Sequence, residues 1–402
     1  MRVSDIAILD LPEACQLQAR VTCERHENHD EWFDAFDLWF RFPAWCRPYL
    51  SVDNGDPFVA ALLVAAMRTG ERLVLPAPIS PRLWRALPEI QAIYAAFDHR
   101  AHRISVECEA RARPTPDSFE ARNGLFFSLG VDSFYSLLKN QREWKVGDAA
   151  ITHLIGVHGF DVLDEAGERR FPAQFRANLD RVAGETGTIL LSVETNVRRV
   201  TAWLAPWTIV HGGAMAGIAL ALGGTFRRGL IAASASHDVL APWGTHPSLD
   251  PLWSTERLEV IHDGCELDTI DKTWSNARSD LFLDTVRVCP GYTAEYNCGR
   301  CLKCLRTMLD LWQSGDLDRC QTLPHAIDPE ALREALVVGS GPVHTAAFRR
   351  RLASIEAEGG PLSIRDVLRA HLDDVELESR WMRAKDGRRT KRRLWGLGRP
   401  RQ

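Results

Sequence analysis

The sequence predicts an α/β protein in which residues 119–310 form a doubly wound parallel sheet, between an extra mixed α/β N-terminal domain (1–118) and a helical C-terminal region (311–402). Three observations lead to this fold class. Short β-like runs alternate with helical runs through the middle region, a strand leads into a tight turn and a helix near its start, and four closely spaced cysteines stand near its end. Strands that alternate with helices are typical of a parallel sheet covered on both faces.

Length and composition place the chain among ordinary globular proteins. Its 402 residues suit two or three domains, and 45% of them are hydrophobic and 25% charged. The formal net charge of −4 gives no general argument for nucleic-acid binding. Residues 1–20 contain no secretory signal, and the longest apolar run, Ala214–Leu222, is about half as long as a membrane span. We therefore expect a cytoplasmic protein without a membrane segment.

Apolar patterning predicts the elements of each region. In the first region a helix follows Asp56 and Pro57 and ends near Gly70, and a linker with two prolines covers 111–117. The predicted strands are Ile6–Leu11, Phe36–Phe42, Leu73–Leu75, Ile104–Val106, Gly124–Phe127, Ile151–Val157, Thr188–Val193 and Gly229–Ala233. Further helices are predicted at Ser133–Lys139, Pro172–Gly187 and Ala214–Leu222. The chain ends in a basic run, 383–393, which is typical of a disordered tail or of contact with nucleic acid or an acidic partner.

The sharpest chemical feature is the strand, tight turn and helix start within residues 125–134. Backbone N–H groups of such a turn and of the first helical turn converge on one spot, which suits a phosphate. Gly130 lets the backbone approach closely, and Ser128 and Ser133 offer hydroxyl donors. Asp132 suits either a helix cap or Mg²⁺. The alternative is an ordinary capped turn between a strand and a helix.

This turn lacks the Gly-Lys-Ser/Thr of a Walker loop and resembles the Ser-Gly-Gly-x-Asp-Ser loop of the PP-loop ATP pyrophosphatases, which cleave ATP to AMP and pyrophosphate. The resemblance implies an adenine nucleotide alpha hydrolase-like (HUP-like) fold. The residues that it places on the nucleotide are Ser128, Leu129, Gly130, Val131, Asp132 and Ser133. Leu129 stands where the family has its first glycine, which bears on how closely the backbone reaches the phosphates.

Three histidines and one aspartate are candidates for further roles at this site. Ligands of open α/β sheets bind beyond the carboxyl ends of the strands, and His158 and Asp161 follow the predicted strand 151–157. An amine nucleophile must lose a proton, so His158, His211 or His237 could act as a general base. A histidine among apolar neighbours often has a purely structural role, and an ordinary surface loop explains the polar residues equally well.

Four cysteines predict a metal site, namely Cys289, Cys298, Cys301 and Cys304. Thiolates three residues apart can wrap one Zn²⁺ ion, which prefers four tetrahedral ligands. A reducing compartment favours metal binding over disulfides for such a cluster. Full ligation by the protein favours a structural site, which would pin the last loop of the middle region to the helix beginning near Leu305. An Fe–S cluster, buried free thiols and a redox pair are the alternatives.

The phosphate loop near the start of the middle region and Cys-x8-Cys-x2-Cys-x2-Cys at its end together resemble the 7-cyano-7-deazaguanine synthase (QueC) family, over about half of the chain. The resemblance implies an AMP-forming ligase that uses ATP, Mg²⁺ and Zn²⁺. Such a ligase adenylates a carboxylate like that of 7-carboxy-7-deazaguanine for amide or nitrile formation. Extended proteins of this kind resemble components of bacterial anti-phage operons, in which the activated group is passed to a protein amine.

The chain departs from that family in two ways. It adds about 118 residues before the middle region and about 90 after it, and it lacks the Ser-Gly-Tyr-Pro-Asp-like substrate segment. Residues 234–238 and 243–254 stand at the corresponding place, with Trp243, Trp253 and several hydrogen-bonding groups that suit a planar heterocycle. A rigid loop that merely packs against the protein is the alternative.

Two other functions fit the same sequence. An RNA-modifying PP-loop enzyme, such as a tRNA thiolase or a lysidine-type ligase, would account for the basic run and the added N-terminal domain. The cysteine motif favours the deazaguanine enzymes instead, and no separate redox cysteine stands near the loop. A non-enzymatic nucleotide-binding scaffold subunit, in which Leu129 has weakened turnover, is the third hypothesis.

Overall fold

The computed structural model describes residues 1–23, 35–111, 122–144, 147–160, 173–289, 296–339, 342–359 and 361–376. The chain forms two compact units, Met1–Tyr296 and Asn297–Gln402. The first unit is built from a sheet and helices, and the described part of the second is helical. Asp161 and the basic run 383–393 lie outside the described residues.

Ten strands among the described residues form one mixed sheet in the first unit. In chain order they are β1 (Arg2–Asp10), β2 (Ala14–Thr22), β3 (Ala35–Pro43), β4 (Leu73–Val74), β5 (Val106–Glu107), β6 (Asn123–Phe126), β7 (His153–His158), β8 (Ile189–Thr195), β9 (Arg228–Ala232) and β10 (Glu259–Asp263). Their order across the sheet is β10-β9-β6-β7-β8-β3-β2-β1-β4-β5. Pairing is antiparallel between β1 and β2, β2 and β3, and β3 and β8, and parallel elsewhere. A mostly parallel α/β sheet is therefore confirmed.

The parallel strands are wound in two directions from β6. The chain moves from β6 through β7 to β8 on one side, then returns to β9 and β10 on the other. The register keeps these strands level, with Phe126 beside Ile155 and Leu125 beside Leu230. The winding direction therefore switches between β6 and β9. In open α/β sheets the crevice beyond the carboxyl ends of the strands at such a switch is the usual ligand site.

The N-terminal strands belong to the same sheet as the middle region. β3 pairs with β8, where Phe40 lies beside Thr195, and buried side chains of both regions, such as Leu38 and Leu191, share one hydrophobic core. Residues on both sides of position 118 therefore lie in one compact unit, although the sequence suggests a separate N-terminal domain. The physical reason is that an unpaired strand edge can accept a new strand from anywhere along the chain, and no local pattern reveals that choice.

The helices of the first unit are α1 (Asp56–Thr69), α2 (Pro81–Phe97), α3 (Val131–Glu143), α4 (Ala173–Thr186), α5 (Val197–Thr201), α6 (Trp207–Ala221), α7 (Thr269–Asn276) and α8 (Asp280–Thr285). α1 ends as predicted at Gly70, which has φ +71°. Small residues let α1 and α6 approach closely. A Cβ at Gly213 would lie 2.4 Å from the carbonyl oxygen of Ala60, and one at Gly217 would lie 2.8 Å from that of Pro57.

Several of these elements are missing from the sequence predictions, among them α2, α5, α7, α8, β2 and β10. α2 contains Pro88 in its interior, and proline normally argues against a helix there. β2 buries alternate residues, Cys15, Leu17, Ala19 and Val21, so its signal was present as a period of two. In the described part of the chain, every helix is too short or too polar to cross a membrane.

The second unit consists of α9 (Leu302–Gln313), α10 (Pro329–Gly339), α11 (Pro342–Glu358) and a further helical stretch, 362–376. Apolar side chains such as Leu305, Leu332 and Phe348 form its core. A fully buried ion pair joins α11 to α9, because Nε and Nη2 of Arg351 lie 2.7 and 2.8 Å from the carboxylate oxygens of Asp310. Removal of either partner would leave an uncompensated buried charge.

Candidate functional site

The turn after β6 is shaped by a leucine in a conformation that favours glycine. Residues 127–130 connect β6 to α3, and within them Leu129 has φ +60°. The left-handed conformation costs a non-glycine residue about 1–2 kcal/mol. Its side chain is fully buried, and burial of a leucine contributes about 1.5–3 kcal/mol in return. Leu129 therefore keeps the backbone shape that glycine would supply, although the resemblance left its effect open.

Hydrogen bonds within the turn hold its backbone in place. The hydroxyl of Ser133 donates to the carbonyl oxygen of Gly130 (3.0 Å) and accepts from the N–H of Ser128 (3.3 Å). The carbonyl oxygen of Leu129 accepts from the N–H of Arg287 (2.9 Å). Gly130 occupies the N-cap of α3, and Asp132 lies in the first helical turn. Of the two roles predicted for Asp132, capping of the helix is therefore not what the structure shows.

A buried lysine reaches the turn from α7. The ammonium Nζ of Lys272 lies 3.4 Å from Oδ1 of Asp132 and 2.5 Å from the carbonyl oxygen of Ala233, which follows β9. The side chain of Lys272 is 1% exposed and that of Asp132 is 31% exposed. This ammonium brings positive charge to the switch between β6 and β9. The position of Lys272 could not be predicted from the sequence, because an isolated lysine in a helix is almost always solvent-exposed.

Polar contacts fix α7 beside the turn. Asp268 caps the helix by accepting a hydrogen bond from the N–H of Asp271 (3.0 Å). At the other end, Nδ2 of Asn276 donates to the carbonyl oxygen of Val131 (2.8 Å). Within the described part of the chain, the buried amide oxygen of Asn276 has no hydrogen-bond partner. An unsatisfied buried acceptor costs about 1–3 kcal/mol, which a donor from a bound ligand or water would remove.

A second polar cluster lies where β10 ends. Nζ of Lys139 is 2.8 Å from both Oδ1 of Asp263 and Oε1 of Glu266, and the hydroxyl of Tyr135 donates to the same Glu266 oxygen (2.8 Å). Burial and this bond to Glu266 raise the pKa of Tyr135 to about 12, so the phenol remains a neutral donor. Lys139 and Lys272 lie 5.4 and 5.8 Å from the Tyr135 ring centre. The cluster therefore connects β10 to α3 beside the turn.

The three candidate histidines lie in segments that leave the carboxyl ends of the strands. His158 ends β7, beside Glu194 of β8, and is half-buried. His237 is exposed and begins a short 3-10 helix after β9. His211 lies in α6, where Nδ1 is 3.0 Å from the carbonyl oxygen of Trp207. Because β7 and β9 are the two neighbours of β6, His158 and His237 follow strands on opposite sides of the turn. Their role as general bases stays a prediction.

The four predicted metal ligands lie together. The sulfur atoms of Cys289, Cys298, Cys301 and Cys304 are all within 4.8 Å of one another. The sulfurs of Cys298 and Cys304 are 3.9 Å apart. Four thiolates around one tetrahedral Zn²⁺ ion at 2.3 Å would be separated by about 3.8 Å. These residues therefore fit zinc and could hold it, with four protein ligands and no open position for chemistry.

The knuckle, defined as residues 298–304, has a glycine where its backbone turns. Gly299 has φ +68°, and a Cβ there would lie 2.5 Å from Cγ of Pro324. The N–H of Cys301 donates to the sulfur of Cys298 (3.3 Å). Hydrogen bonding to Cys301, together with burial, raises the pKa of the Cys304 thiol. A divalent cation reverses that preference, because a metal-bound thiol gives up its proton.

The loop predicted to contact the substrate has a buried part and an exposed part. Trp253 is fully buried in the core of the first unit, so packing accounts for it. Asp250 is also buried and accepts a hydrogen bond from Nδ1 of His262 (2.7 Å). Trp243 is 42% exposed. The alternative of a packing loop therefore holds for Trp253, and Trp243 remains accessible.

Function must be inferred from the fold, the turn and the cysteine cluster. No protein-family model, curated protein or solved structure that was compared with the chain matches it. The site residues described above accordingly carry the functional proposal.

Proposed function

We propose that the chain binds ATP at the turn after β6 and uses it to adenylate a small carboxylate, with release of pyrophosphate. The observation that carries this proposal is the left-handed Leu129 at the switch between β6 and β9, with the buried ammonium of Lys272 close to the first turn of α3. The N-terminal turn of a helix with a buried cation beside it suits a polyanion. A triphosphate is the polyanion that the resemblance to the PP-loop enzymes implies.

Adenylation asks the protein for positioning and charge rather than covalent chemistry. A carboxylate oxygen of the substrate attacks the α-phosphorus in line, the bond between this phosphorus and the bridging oxygen to the β-phosphorus breaks, and pyrophosphate leaves with the electron pair. The N–H groups of the first turn of α3 and the ammonium of Lys272 would stabilise the charge on the leaving group. Mg²⁺, for which Asp132 offers a carboxylate, would supply further charge neutralisation.

The second step transfers the activated acyl group to nitrogen. An amine attacks the carbonyl carbon of the acyl adenylate, AMP leaves, and the amine loses a proton. His158 and His237 are the candidate bases, because they follow the strands on either side of β6. A QueC-like ligase would use ammonia, and the conjugation of a protein amine in anti-phage defence is the extended form of the same chemistry. The cysteine cluster would have a structural role.

Exchange of label between pyrophosphate and ATP tests the first step. We expect exchange that requires Mg²⁺ and a heterocyclic acid such as 7-carboxy-7-deazaguanine. Asp132→Asn should lower the exchange rate by about 100-fold, the scale of one lost electrostatic contact in a reaction centre. Asp53→Asn, an exposed aspartate in a different turn, is the matched control and should leave it unchanged.

Other outcomes separate the competing functions. ATP binding without exchange against any acid would support the scaffold hypothesis, and absence of ATP binding would contradict the proposal altogether. A tRNA-modifying enzyme would bind tRNA, and the logarithm of its affinity would fall steeply and linearly with that of the salt concentration. Mass spectrometry of a co-expressed partner protein for a nucleobase-sized adduct tests transfer to a protein amine.

A further inference from the structure

We propose that Trp207, His211 and Trp243 form an aromatic platform that binds the planar ring of the acid to be adenylated. The identity of the ligand rests on the proposed function, whereas the platform itself rests on ring contacts, exposure and backbone packing. Exposed indoles present flat apolar surface that a planar nitrogen heterocycle can stack upon. The occupant is therefore a heterocyclic carboxylate rather than an aliphatic one.

The three rings form a continuous row. The ring centres of Trp207 and His211 are 6.1 Å apart, and those of His211 and Trp243 are 5.5 Å apart. Phe160 packs edge-on against Trp207 with ring centres 5.0 Å apart, and the guanidinium of Arg198 lies 5.2 Å from the centre of the Trp207 ring. Trp207 is therefore braced from two further directions, and Trp243 forms the open end of the row.

The platform lies at the edge of the sheet that also carries the turn after β6. Trp207 is the first residue of α6, and α6 belongs to the connection that leaves the carboxyl end of β8. Trp243 belongs to the connection that leaves the carboxyl end of β9. The turn after β6 leaves the carboxyl end of the strand adjacent to β9. A ring held by the platform is thus on the same edge of the sheet as that turn, the edge at which open α/β sheets bind their ligands.

Two glycines hold the exposed indole in place. A Cβ at Gly212 would lie 1.8 Å from the carbonyl oxygen of Gly244, and a Cβ at Gly244 would lie 2.6 Å from Nδ1 of His211. The N–H of Gly244 donates to the carbonyl oxygen of Thr208 (2.8 Å). The loop that carries Trp243 therefore contacts the first turns of α6 backbone to backbone. An indole that is 42% exposed on so constrained a backbone is preorganised for a ligand.

A hydrogen bond fixes the ring of His211 within the row. Nδ1 of His211 lies 3.0 Å from the carbonyl oxygen of Trp207. A carbonyl oxygen only accepts, so Nδ1 carries the hydrogen. The ring against which Trp243 packs is therefore held in one orientation, and stacking on the exposed indole of Trp243 selects a flat acid.

Direct binding tests the platform without turnover. Calorimetric titration of the full chain with 7-carboxy-7-deazaguanine, in the absence of ATP, should show a dissociation constant that Trp243→Ala raises about tenfold or more, the scale on which stacking of one base contributes to affinity. Trp243→Phe keeps a flat ring and should stay within about threefold of the wild type. Trp144→Ala removes an indole that is 51% exposed after α3 and is the matched control. Cyclohexanecarboxylate, an acid without a flat ring, should not bind.

Equal affinity of Trp243→Ala and wild type for the heterocyclic acid would overturn the platform, as would an absence of binding by the wild type up to millimolar acid. In the exchange reaction, Trp243→Ala should raise the KM of the acid and leave the KM of ATP unchanged. A raised KM for ATP alone would indicate that the rings bind the adenine base of ATP, and this would overturn the proposal. Binding of the acid that depends on Trp243, without any ATP–pyrophosphate exchange, would support the platform and contradict adenylation. Exchange that is unaffected by Trp243→Ala, with no effect of this substitution on binding of the acid, would contradict the platform alone.

Discussion

The turn after β6 and the cysteine knuckle both need a residue in the left-handed conformation, and they use different residues for it. Each changes direction at a residue in the left-handed conformation, Leu129 with φ +60° and Gly299 with φ +68°. At the knuckle a Cβ would meet Pro324 at 2.5 Å, so glycine is required for space as well as for conformation. At the turn after β6 the side chain points into protein that buries it completely.

The difference indicates what imposes each shape. The knuckle is a short segment whose thiols can be drawn together by a metal, and glycine lets it do so at low conformational cost. The turn after β6 is held by its own serines and by the core contact of Leu129, without any help from a ligand. The knuckle should therefore depend on zinc, whereas the turn should persist in the protein without nucleotide.

The largest effect is expected when one sulfur of the cysteine cluster is removed, because the zinc site should then lose its metal. Wild-type protein should contain one zinc per chain by elemental analysis. Cys304→Ser should retain less than about a tenth of it, because structural zinc sites draw on all of their ligands. Cys320→Ser replaces another buried cysteine outside the cluster and should keep the metal. Full zinc content in Cys304→Ser would contradict the assignment of ligands.

The next largest effect is expected at the turn after β6, when the buried ammonium of Lys272 is removed. Lys272→Met should lower ATP–pyrophosphate exchange by about 100-fold or more, since one preorganised electrostatic contact contributes about 3–4 kcal/mol to a transition state. Methionine has a similar shape, and the carboxylate of Asp132, which loses its partner, is 31% exposed and can be solvated by water. Unchanged zinc content and melting temperature would serve as controls for folding. Exchange at the wild-type rate would show that Lys272 takes no part in the reaction.

A substitution that adds a Cβ to the knuckle tests whether glycine is required there for space as well as for conformation. Gly299→Ala should lower the free energy of unfolding by about 2 kcal/mol or more, because it adds a clash with Pro324 to the conformational cost. Gly315→Ala is the matched control in the same unit. Gly315 has φ +77°, and a Cβ there would have no atom within 4 Å, so only the conformational cost of about 1 kcal/mol should remain. Urea unfolding of the zinc-loaded protein measures both, and equal effects would rule out the contact with Pro324.

Two substitutions of Leu129 test the smallest expected effect, which is the cost of its left-handed conformation. Both Leu129→Ala and Leu129→Gly remove a buried side chain, at a cost of about 2–5 kcal/mol. Only glycine also relieves the left-handed strain, so Leu129→Gly should be more stable than Leu129→Ala by about 1 kcal/mol. That order is the reverse of the one usual in buried positions. Greater stability of the alanine variant in urea unfolding would show that the turn relaxes out of this conformation.

Local features of the molecule followed from the sequence alone. The strand, turn and helix around Gly130, the end of α1 at Gly70 and the run that becomes α6 are all visible as periodicity or as single residues with special backbone freedom. The spacing of the four cysteines predicted a group that could hold zinc, and their sulfurs lie together. These predictions succeeded because the interacting residues are separated by only a few positions, where short-range geometry decides.

Tertiary structure alone decided what lies next to these features. Lys272 is 140 positions from Asp132, and β3 joins β8 across a similar separation. Gly212 and Gly244 bring Trp243 onto α6, although neither glycine shows any signal in its own neighbourhood. Such contacts depend on which strand edges pair and which helix faces pack, and many arrangements satisfy the same local pattern. The turn after β6 and the group of four cysteines could therefore be predicted from the sequence, whereas the lysine beside that turn and the ring contacts of Trp243 required the fold.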